Sequence, residues 1–419
     1  EKINFKKLTT KSSTTFNAPY DYLSVMHYSK RAFSKNREDT IKTKLPQNQD
    51  KIGQRMEMSP IDVYKLNRLY NCNSSVSFME HCNFSIDICG MSYCKKGLAK
   101  GWERKSVTAG GPFTDHTDLN KKLGYFMHAR TASGQEGDSA WLETKRMSPT
   151  RECHVQCLQF YYYHSGSQSD QLNIWIREFQ DERDSKGNLR LMGQITDKPT
   201  FHWLFHKVPL NASQINPKPF QVVFEVRKGN EESSGGFSID DINLSESECP
   251  HNIWQIQNFE GLLTSSDYDS FLHSPRLYSA EGYAYQMLIA LRETFFGVYF
   301  RLVSGEYDSK LEWPCPWRQL TLIMLDQNPH IQQQMSNQIT PTTDPSGSEC
   351  KNMRHVFCFA EAEFDNPRKV GRRIRSHGET LYVNPAIGKR SFLSLEQIRS
   401  RDFLKGGAAV FLLSMTGEL

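Results

Sequence analysis

The chain has 419 residues, of which 38% are hydrophobic and 23% charged, and a formal net charge of +4. This length predicts roughly two to four domains, and the composition is that of a folded protein rather than a disordered one. The near balance of charge, without a long basic stretch that interleaves aromatic residues, argues against a nucleic-acid partner. No run of about 18 apolar residues occurs, so the sequence predicts no membrane-spanning helix within the chain.

The cysteines and the glycosylation acceptors indicate an oxidising compartment. The ten cysteines are irregularly spaced and form no Cys-x-x-Cys pair. Four positions fit the Asn-x-Ser/Thr acceptor rule: Asn73, Asn83, Asn211 and Asn243. Together these features predict an extracellular or cell-surface glycoprotein with disulfide bonds. No signal peptide opens the chain, which begins at Glu1, so we expect a fragment of a longer protein.

The first predicted domain, residues 1–75, ends in one clear helix. Ser59 is a good N-cap, Pro60 fits the first helical position, and Asp62 lies near the positive end of the helix dipole. The apolar residues that follow share one face of this helix: Val63, Leu66 and Leu69.

The other two predicted domains, residues 76–249 and 250–419, have the pattern of antiparallel β-sandwiches. Segments such as LNIWI (172–176) and FQVVFEV (220–226) alternate apolar and polar residues, and turn-rich stretches separate them. The last domain continues with similar strands and one short helix, LSLEQIRS (393–400). The predicted fold is therefore mainly β, with Cys249-Pro250 as the joint between the two sandwiches.

All three segments resemble parts of the meprins, a family of multidomain zinc proteases, and are nearest to the β-type subunit. SVMHY (24–28) and IGQRMEMSPIDVYKLNRLYNC (52–72) resemble the C-terminal part of an astacin-type peptidase domain. HCNFSIDICGM (81–91) and GGFSIDDINLSESECP (235–250) resemble a MAM domain. LEWPCPWRQLTLIMLDQNP (311–329) and RSRDFLKGG (399–407) resemble a MATH, or TRAF-type, domain. The order of the three modules is itself specific to this family.

The resemblance implies zinc-dependent cleavage of peptide and protein substrates outside the cell. Astacins hold zinc with three histidines of an H-E-x-x-H-x-x-G-x-x-H segment, whose Glu activates a zinc-bound water. Met26 matches the Met-turn residue beneath the metal, and Tyr28 matches the tyrosine that ligates zinc and stabilises the oxyanion. His27 has a structural role by this comparison. Arg55 matches a substrate-pocket position that favours acidic side chains after the scissile bond, although it could equally pack against and cap a loop.

The histidine motif itself does not occur among the 13 histidines. His202 and His206 have a similar spacing, but they lie in alternating β sequence without the Glu, so two strand histidines on one face is the better interpretation. Cys82, Cys89 and Cys94 with His81 have the wrong spacing for a zinc finger. We therefore expect this chain to bind no zinc tightly, and to be inactive by itself.

Disulfides and oligomer contacts follow from the resemblance. The MAM pattern implies disulfides Cys82–Cys89 and Cys157–Cys249. The sequence leaves open the pairing of the remaining domain cysteines: Cys94, Cys153, Cys315, Cys350 and Cys358. Meprins form homo- or hetero-oligomers through their MAM and MATH domains, but residues 120–122 contain no cysteine where the family joins subunits, so Cys94 or Cys153 would have to replace it. Meprins often carry a membrane anchor, which could follow only beyond Leu419.

Two sequence features remain open. Asp240 and Asp241 could hold a cation, but adjacent strand residues point to opposite faces, so hydrogen bonding at a strand end is the alternative. Gly406 and Gly407 replace the acidic pair that is usual in the family, which predicts a looser turn.

Two functions are compatible with the sequence. In the first, the chain is part of a zinc endopeptidase whose zinc-binding half lies upstream. In the second, it is a non-catalytic MAM–MATH adhesion or assembly module that pairs with an intact protease subunit.

Overall fold

The computed structural model describes residues 13–55, 58–69, 78–98, 101–119, 123–149, 155–210, 218–343 and 364–417. These residues group into two compact units, 1–75 and 76–419, which we call the N-terminal and C-terminal units. No helix in the described ranges is long and apolar enough to cross a membrane.

The described part of the N-terminal unit consists of loops around one helix. Helix α1 spans Pro60–Leu69, and a 3-10 turn spans Pro46–Asn48. The helix begins where the sequence predicts, because Ser59 Oγ accepts a hydrogen bond from the Asp62 backbone N–H at 3.0 Å. The Asp62 carboxylate returns a contact by accepting from the Ser59 backbone N–H at 3.1 Å. This reciprocal pair caps the first turn.

The first half of the C-terminal unit is an antiparallel sandwich, which we call the first sandwich. Its described strands are β1 Phe78–Cys82, β2 Ser92–Lys96, β3 Trp102–Lys105, β4 Phe126–Arg130, β5 Ser139–Glu143, β6 Cys157–His164, β7 Gln171–Glu178, β8 Asn188–Ile195, β9 Trp203–Pro209, β10 Phe220–Arg227 and β11 Gly236–Ser245. One sheet has the order β3-β4-β11-β6-β9, with β1 also pairing with β11, and the other has the order β2-β5-β10-β7-β8.

The second half of this unit is the second sandwich. Its described strands are β12 Asn252–Ile256, β13 Ser270–His273, β14 Leu277–Tyr278, β15 Ala284–Arg292, β16 Phe295–Leu302, β17 Arg318–Met324, β18 Asn337–Ile339, β19 Arg372–Ser376, β20 Glu379–Val383, β21 Ile387–Ser394 and β22 Ala409–Gly417. Its helices are α2 Phe259–Ser265, α3 Pro367–Val370 and α4 Leu395–Arg399. The sheets run β12-β22-β17-β18 and β13-β15-β16-β21, with β14 on β15 and a separate β19-β20 hairpin. The mainly β prediction is confirmed, and so is the short helix α4, which Ser394 and Gln397 cap reciprocally.

Strand β6 is buried along its whole length, on both faces. Alternation directs Phe160 and Tyr162 into the core of the first sandwich and Tyr161 and Tyr163 to the other side. On that other side lies an apolar seam to which both sandwiches contribute. It contains the following buried side chains: Phe126, Tyr161, Tyr163, Trp203, Phe205, Leu325, Val410 and Leu412. The two sandwiches therefore pack as one body.

Polar side chains complete the seam. Gln255 of β12 bonds the edge of β9, because its Oε1 accepts from the Phe205 N–H and its Nε2 donates to the Trp203 carbonyl, each at 2.9 Å. Tyr161 donates its hydroxyl to Gln327 Oε1 at 3.0 Å. Each of these buried or half-buried polar groups thus has a partner across the seam, as burial requires.

Two disulfides stabilise the first sandwich. Cys82–Cys89 closes a loop with a sequence separation of 7, and Cys157–Cys249 ties β6 to the end of the domain across a separation of 92. A longer closed loop restricts the unfolded chain more, so the second disulfide contributes more stability.

We predict that replacing Cys157 and Cys249 together by Ser lowers the free energy of unfolding by roughly 3–5 kcal/mol. The matched double variant Cys82→Ser/Cys89→Ser should lose roughly 2 kcal/mol, because its loop is short. Urea denaturation followed by tryptophan fluorescence measures both. Equal losses, or a larger loss for the short loop, would contradict the ranking.

Candidate functional site

The residues that resemble a protease site lie in a loop anchored to α1. The Asp62 carboxylate accepts hydrogen bonds from Ser24 Oγ at 2.6 Å and from the Val25 backbone N–H at 2.9 Å. Burial opposes ionisation of Asp62, but the hydrogen bonds from Ser24, Val25 and Ser59 outweigh it and lower the pKa of this carboxyl. The helix cap and the loop therefore share one charged anchor.

Met26 and Tyr28 project outward from this loop. Met26 is 82% exposed and Tyr28 is 41% exposed. The Tyr28 ring makes an edge contact with Phe33 at 5.5 Å between centroids. The structure places both exposed side chains on one short loop.

His27 has a structural role in the same loop. Its Nδ1 lies 2.7 Å from the Tyr28 carbonyl and its Nε2 lies 2.8 Å from the Tyr20 hydroxyl. Because a carbonyl only accepts, Nδ1 carries the proton and Nε2 accepts from the tyrosine. Both ring nitrogens are engaged, so His27 is not placed as a metal ligand.

Arg55 stabilises the same loop by hydrogen bonds to backbone carbonyls. Its Nη1 donates to the carbonyls of His27 at 3.0 Å and Gln54 at 2.8 Å, and also to the carbonyl of Val25. This is the loop-capping arrangement that the sequence left open. The substrate-pocket role of Arg55 stays a prediction.

The structure gives the residues of the two alternative metal sites other partners. Cys82 and Cys89 form a disulfide, and the His81 ring contacts the His330 ring at 4.1 Å. His202 Nδ1 pairs with the Thr200 carbonyl at 2.7 Å. No group of three or more His, Cys, Asp or Glu side chains suited to a metal ion occurs among the described residues.

A buried polar cluster at the seam was not predicted from the sequence. The His116 backbone N–H donates to Asp240 at 2.8 Å, and His116 Nδ1 donates to Asp241 at 2.7 Å. Lys405 Nζ of the second sandwich lies 3.7 Å from the same Asp241 oxygen. The His116 ring stacks on Tyr161 with centroids 3.4 Å apart.

The alternation argument for the two aspartates was wrong because β11 contains a bulge. The register of β11 against β6 shifts between Asp240 and Asn243, and Asp241 has a positive φ of 47°. Both carboxylates therefore reach the same segment, His116 and Thr117, instead of opposite faces. Their partners are hydrogen-bond donors and Lys405, so the structure favours the hydrogen-bonding alternative over a cation.

Charge in this cluster is divided between the sandwiches. Burial, together with Asp241, raises the pKa of Asp240 well above its usual value, although backbone N–H donors oppose this shift. Burial also opposes ionisation of Asp241, but its contacts with His116 and Lys405 outweigh burial, lower its pKa and keep it ionised. Burial lowers the pKa of His116 to about 4, so the imidazole is neutral. Asp241 and Lys405 thus form an ion pair inside the seam.

The turn that carries Lys405 is closed, so the expectation of a looser turn was wrong. Lys405 and Ala408 exchange backbone hydrogen bonds of 3.2 and 2.9 Å across Gly406 and Gly407. Both glycines have positive φ, 56° and 77°, as a two-residue type I′ hairpin turn requires. Glycine fits this conformation better than an acidic side chain does.

The glycosylation expectation for Asn243 is corrected by its position. Asn243 is 5% exposed, and its Nδ2 donates to the carbonyls of Asp241 at 3.2 Å and of Pro329 at 2.9 Å. An N-linked sugar is attached through Nδ2, so the folded seam has no place for it. Asn83 is half-buried, with its Oδ1 accepting from the Ser85 N–H, and stays a prediction.

Several predicted residues lie outside the described part of the chain. They are Asn73, Asn211, Cys153, Cys350, Cys358 and positions 120–122. Within the described part, Cys94 is exposed on the edge strand β2, and Cys315 is buried in the second sandwich. Burial raises the pKa of the Cys315 thiol to about 12.

Comparisons with known proteins identify the modules. Residues 1–71 match the astacin peptidase family, residues 82–250 match "MAM domain, meprin/A5/mu", and residues 251–415 match "MATH domain". The chain is thus a partial astacin-type peptidase domain followed by a MAM and a MATH sandwich.

Curated relatives match nearly the whole chain. Human and mouse meprin A subunit beta are each 44% identical over 417 residues, which is 98% of this chain and 57% of each relative. Rat meprin A subunit alpha is 36% identical over 424 residues, covering 98% of this chain and 54% of that protein. The chain belongs to the meprin family, with greater identity to these β subunits than to the α subunit. It spans a little over half the length of these relatives.

We predict that the folded protein carries no glycan on Asn243 when it is produced in a secretory pathway. Peptide-N-glycosidase treatment in ¹⁸O-water, followed by peptide mass spectrometry, reads each acceptor separately. The variant Ser245→Ala removes the acceptor motif but keeps the amide, so its intact mass should differ from that of the wild type by the substitution alone. A glycan on Asn243 in the folded fraction would refute the burial argument.

We also predict a pH dependence of stability from His206, which packs against Phe160 and Tyr162. Burial lowers its pKa from a usual value near 6.5 to about 4. Between these two values the unfolded chain binds the proton and the folded chain does not, so stability falls as the pH falls through this window. His206→Gln should reduce the slope of unfolding free energy against pH by up to about 1.4 kcal/mol per unit. Denaturant unfolding from pH 4 to 7 tests this, and an unchanged slope would contradict it.

Proposed function

We propose that this chain is the C-terminal part of the catalytic domain, together with the accessory sandwiches, of an extracellular or cell-surface zinc endopeptidase. The observation that carries the proposal is the match to meprin β subunits over 98% of the chain. It is combined with an exposed loop that carries Met26 and Tyr28, which we assign to the Met-turn and to the oxyanion donor by resemblance. In such an enzyme the substrates are extracellular proteins and peptides, and Arg55 favours acidic residues after the scissile bond.

The residues present here do not fit a zinc ion by themselves. The H-E-x-x-H motif does not occur in the sequence, and the described residues contain no set of metal-binding side chains. Tyr28 alone cannot supply the three protein ligands that a catalytic zinc site needs. We therefore assign Tyr28 only a hydrogen-bonding task, the donation of its phenolic proton to an oxyanion at the substrate carbonyl.

Helix α1 supports the view that this segment packs against further sequence. Val63, Leu66 and Leu69 are 40%, 42% and 58% exposed, although they form the apolar face of the helix. An amphipathic helix normally buries this face against a sheet. The remaining part of an astacin-type domain would provide such a sheet.

The alternative function is a MAM–MATH module that assembles with an intact protease subunit. It is supported by the seam, which joins the two sandwiches into one compact unit. Exposed edge strands such as β2, which carries Cys94, offer surfaces for homo- or hetero-oligomers.

We predict that the purified 419-residue chain shows no chelator-sensitive cleavage of a fluorogenic peptide in the presence of zinc. Human meprin A subunit beta serves as the positive control in the same assay. Zinc-dependent hydrolysis by the purified chain would overturn the proposal that this chain carries only the C-terminal part of the catalytic domain.

A chimaera distinguishes the two functions. The human segment that precedes the matching region is joined before Glu1, and Tyr28→Phe is compared with the control Tyr64→Phe, whose hydroxyl bonds the Phe16 carbonyl. Removal of an oxyanion donor lowers kcat by roughly 100-fold. An active chimaera in which only Tyr28→Phe has this effect supports the endopeptidase, whereas an inactive but folded chimaera supports the assembly module.

A further inference from the structure

A groove of about 610 Å³ lies between two edge strands of the second sandwich. Strand β12 pairs only with β22 and β13 pairs only with β15 among the described strands, so each has an edge without a neighbouring strand. Residues 374–377 of the β19-β20 hairpin form the third side of the groove. A sheet edge of this kind can accept an additional strand from a peptide.

The lining of the groove combines apolar and basic side chains. Phe271 is 47% exposed there, and Trp254 and Ile374 add further apolar surface. Arg375 and His377 lie on the hairpin side. His377 Nε2 donates to the His273 carbonyl at 2.9 Å, whereas Arg375 forms no ion pair with a described residue. None of the residues that line the groove is Asp or Glu.

A buried arginine lies directly behind the groove. Arg301 is only 6% exposed, and its Nε and Nη2 donate to Gln286 Oε1 at 3.2 and 2.7 Å. Its Nη2 also donates to Nδ1 of His273, a lining residue, at 3.1 Å. Because arginine only donates, neutral His273 carries its proton on Nε2.

Arg301 has no carboxylate partner among the described residues. Its hydrogen bonds go to neutral groups, and burial together with Arg372 lowers the pKa of its guanidinium to about 10. A buried cation without a counterion is unfavourable, and an anion placed near it relieves that charge. The groove is therefore electrostatically complementary to a negatively charged occupant.

We propose that this groove binds an extended acidic segment of another protein by β-strand addition. Carboxylates of the segment pair with Arg375 and face the Arg301–His273 pair, and its alternate apolar side chains pack on Phe271 and Trp254. Alternation along the added strand separates the acidic and apolar contacts. This proposal does not depend on whether the chain takes part in proteolysis.

The probe for the test is a fluorescein-labelled peptide of alternating Asp and Val, six residues long and capped at its C-terminus. The matched peptide has Asn in place of each Asp. Fluorescence anisotropy with the full chain should show at least tenfold tighter binding of the acidic peptide. The variant Arg375→Gln should weaken that binding by about tenfold or more, since a hydrogen bond to a charged group is lost.

The control variant is Arg373→Gln, which removes the same charge from the same strand at a position outside the groove lining. It should bind the acidic peptide within about twofold of the wild type, and both variants should keep the wild-type melting temperature because their side chains are exposed. Equal binding of the two peptides, no binding up to millimolar concentration, or equal effects of the two variants would overturn the proposal. A heparin-derived hexasaccharide that binds where the peptide does not would also overturn it, in favour of a polyanion site.

Discussion

Burial of β6 on both faces fixes how the two sandwiches meet. A strand in an ordinary two-sheet sandwich has one face in the core and one in water. Here the outer face, with Tyr161 and Tyr163, is covered by Val410 and Leu412 of the second sandwich. An aromatic surface of this size would be unfavourable in water, so the first sandwich requires the second as its cover.

The polar groups around the seam give this apolar contact its specificity. An apolar patch alone tolerates sliding, but Gln255 meets two defined backbone groups on β9, and Lys405 meets one carboxylate. Removal of either member of the Asp241–Lys405 pair would leave the other charge buried without a partner. The bulge at Asp241 and the glycine turn after Lys405 are the backbone features that bring these two groups together.

Patterns that are local in sequence allowed much of this structure to be predicted. The cap at Ser59, the start of α1, the alternating strands and the helix at 395–399 all depend on neighbouring residues. The module order allowed the family to be recognised, and the two disulfides followed from that resemblance.

The seam could not be predicted in this way, because Tyr161 and Val410 are far apart in sequence and both look like ordinary strand residues. The prediction that Asp240 and Asp241 point to opposite faces was wrong for a different reason. A bulge breaks the period of two on which the alternation rule depends. Met26 and Tyr28 could be located from a motif, but their role depends on residues that the motif does not contain.

The hydrogen bonds of Asn243 also set an order of events during synthesis. Its partners, the Pro329 carbonyl and the Ile331 N–H, are encoded 86 and 88 residues later in the chain. At typical rates of chain elongation, roughly 4 to 17 seconds pass between the synthesis of Asn243 and that of Pro329. During that interval the amide has no seam to protect it, and a modifying enzyme competes with the arrival of the second sandwich. The same side chain that joins the finished domains is therefore a point of kinetic vulnerability while the protein is being made.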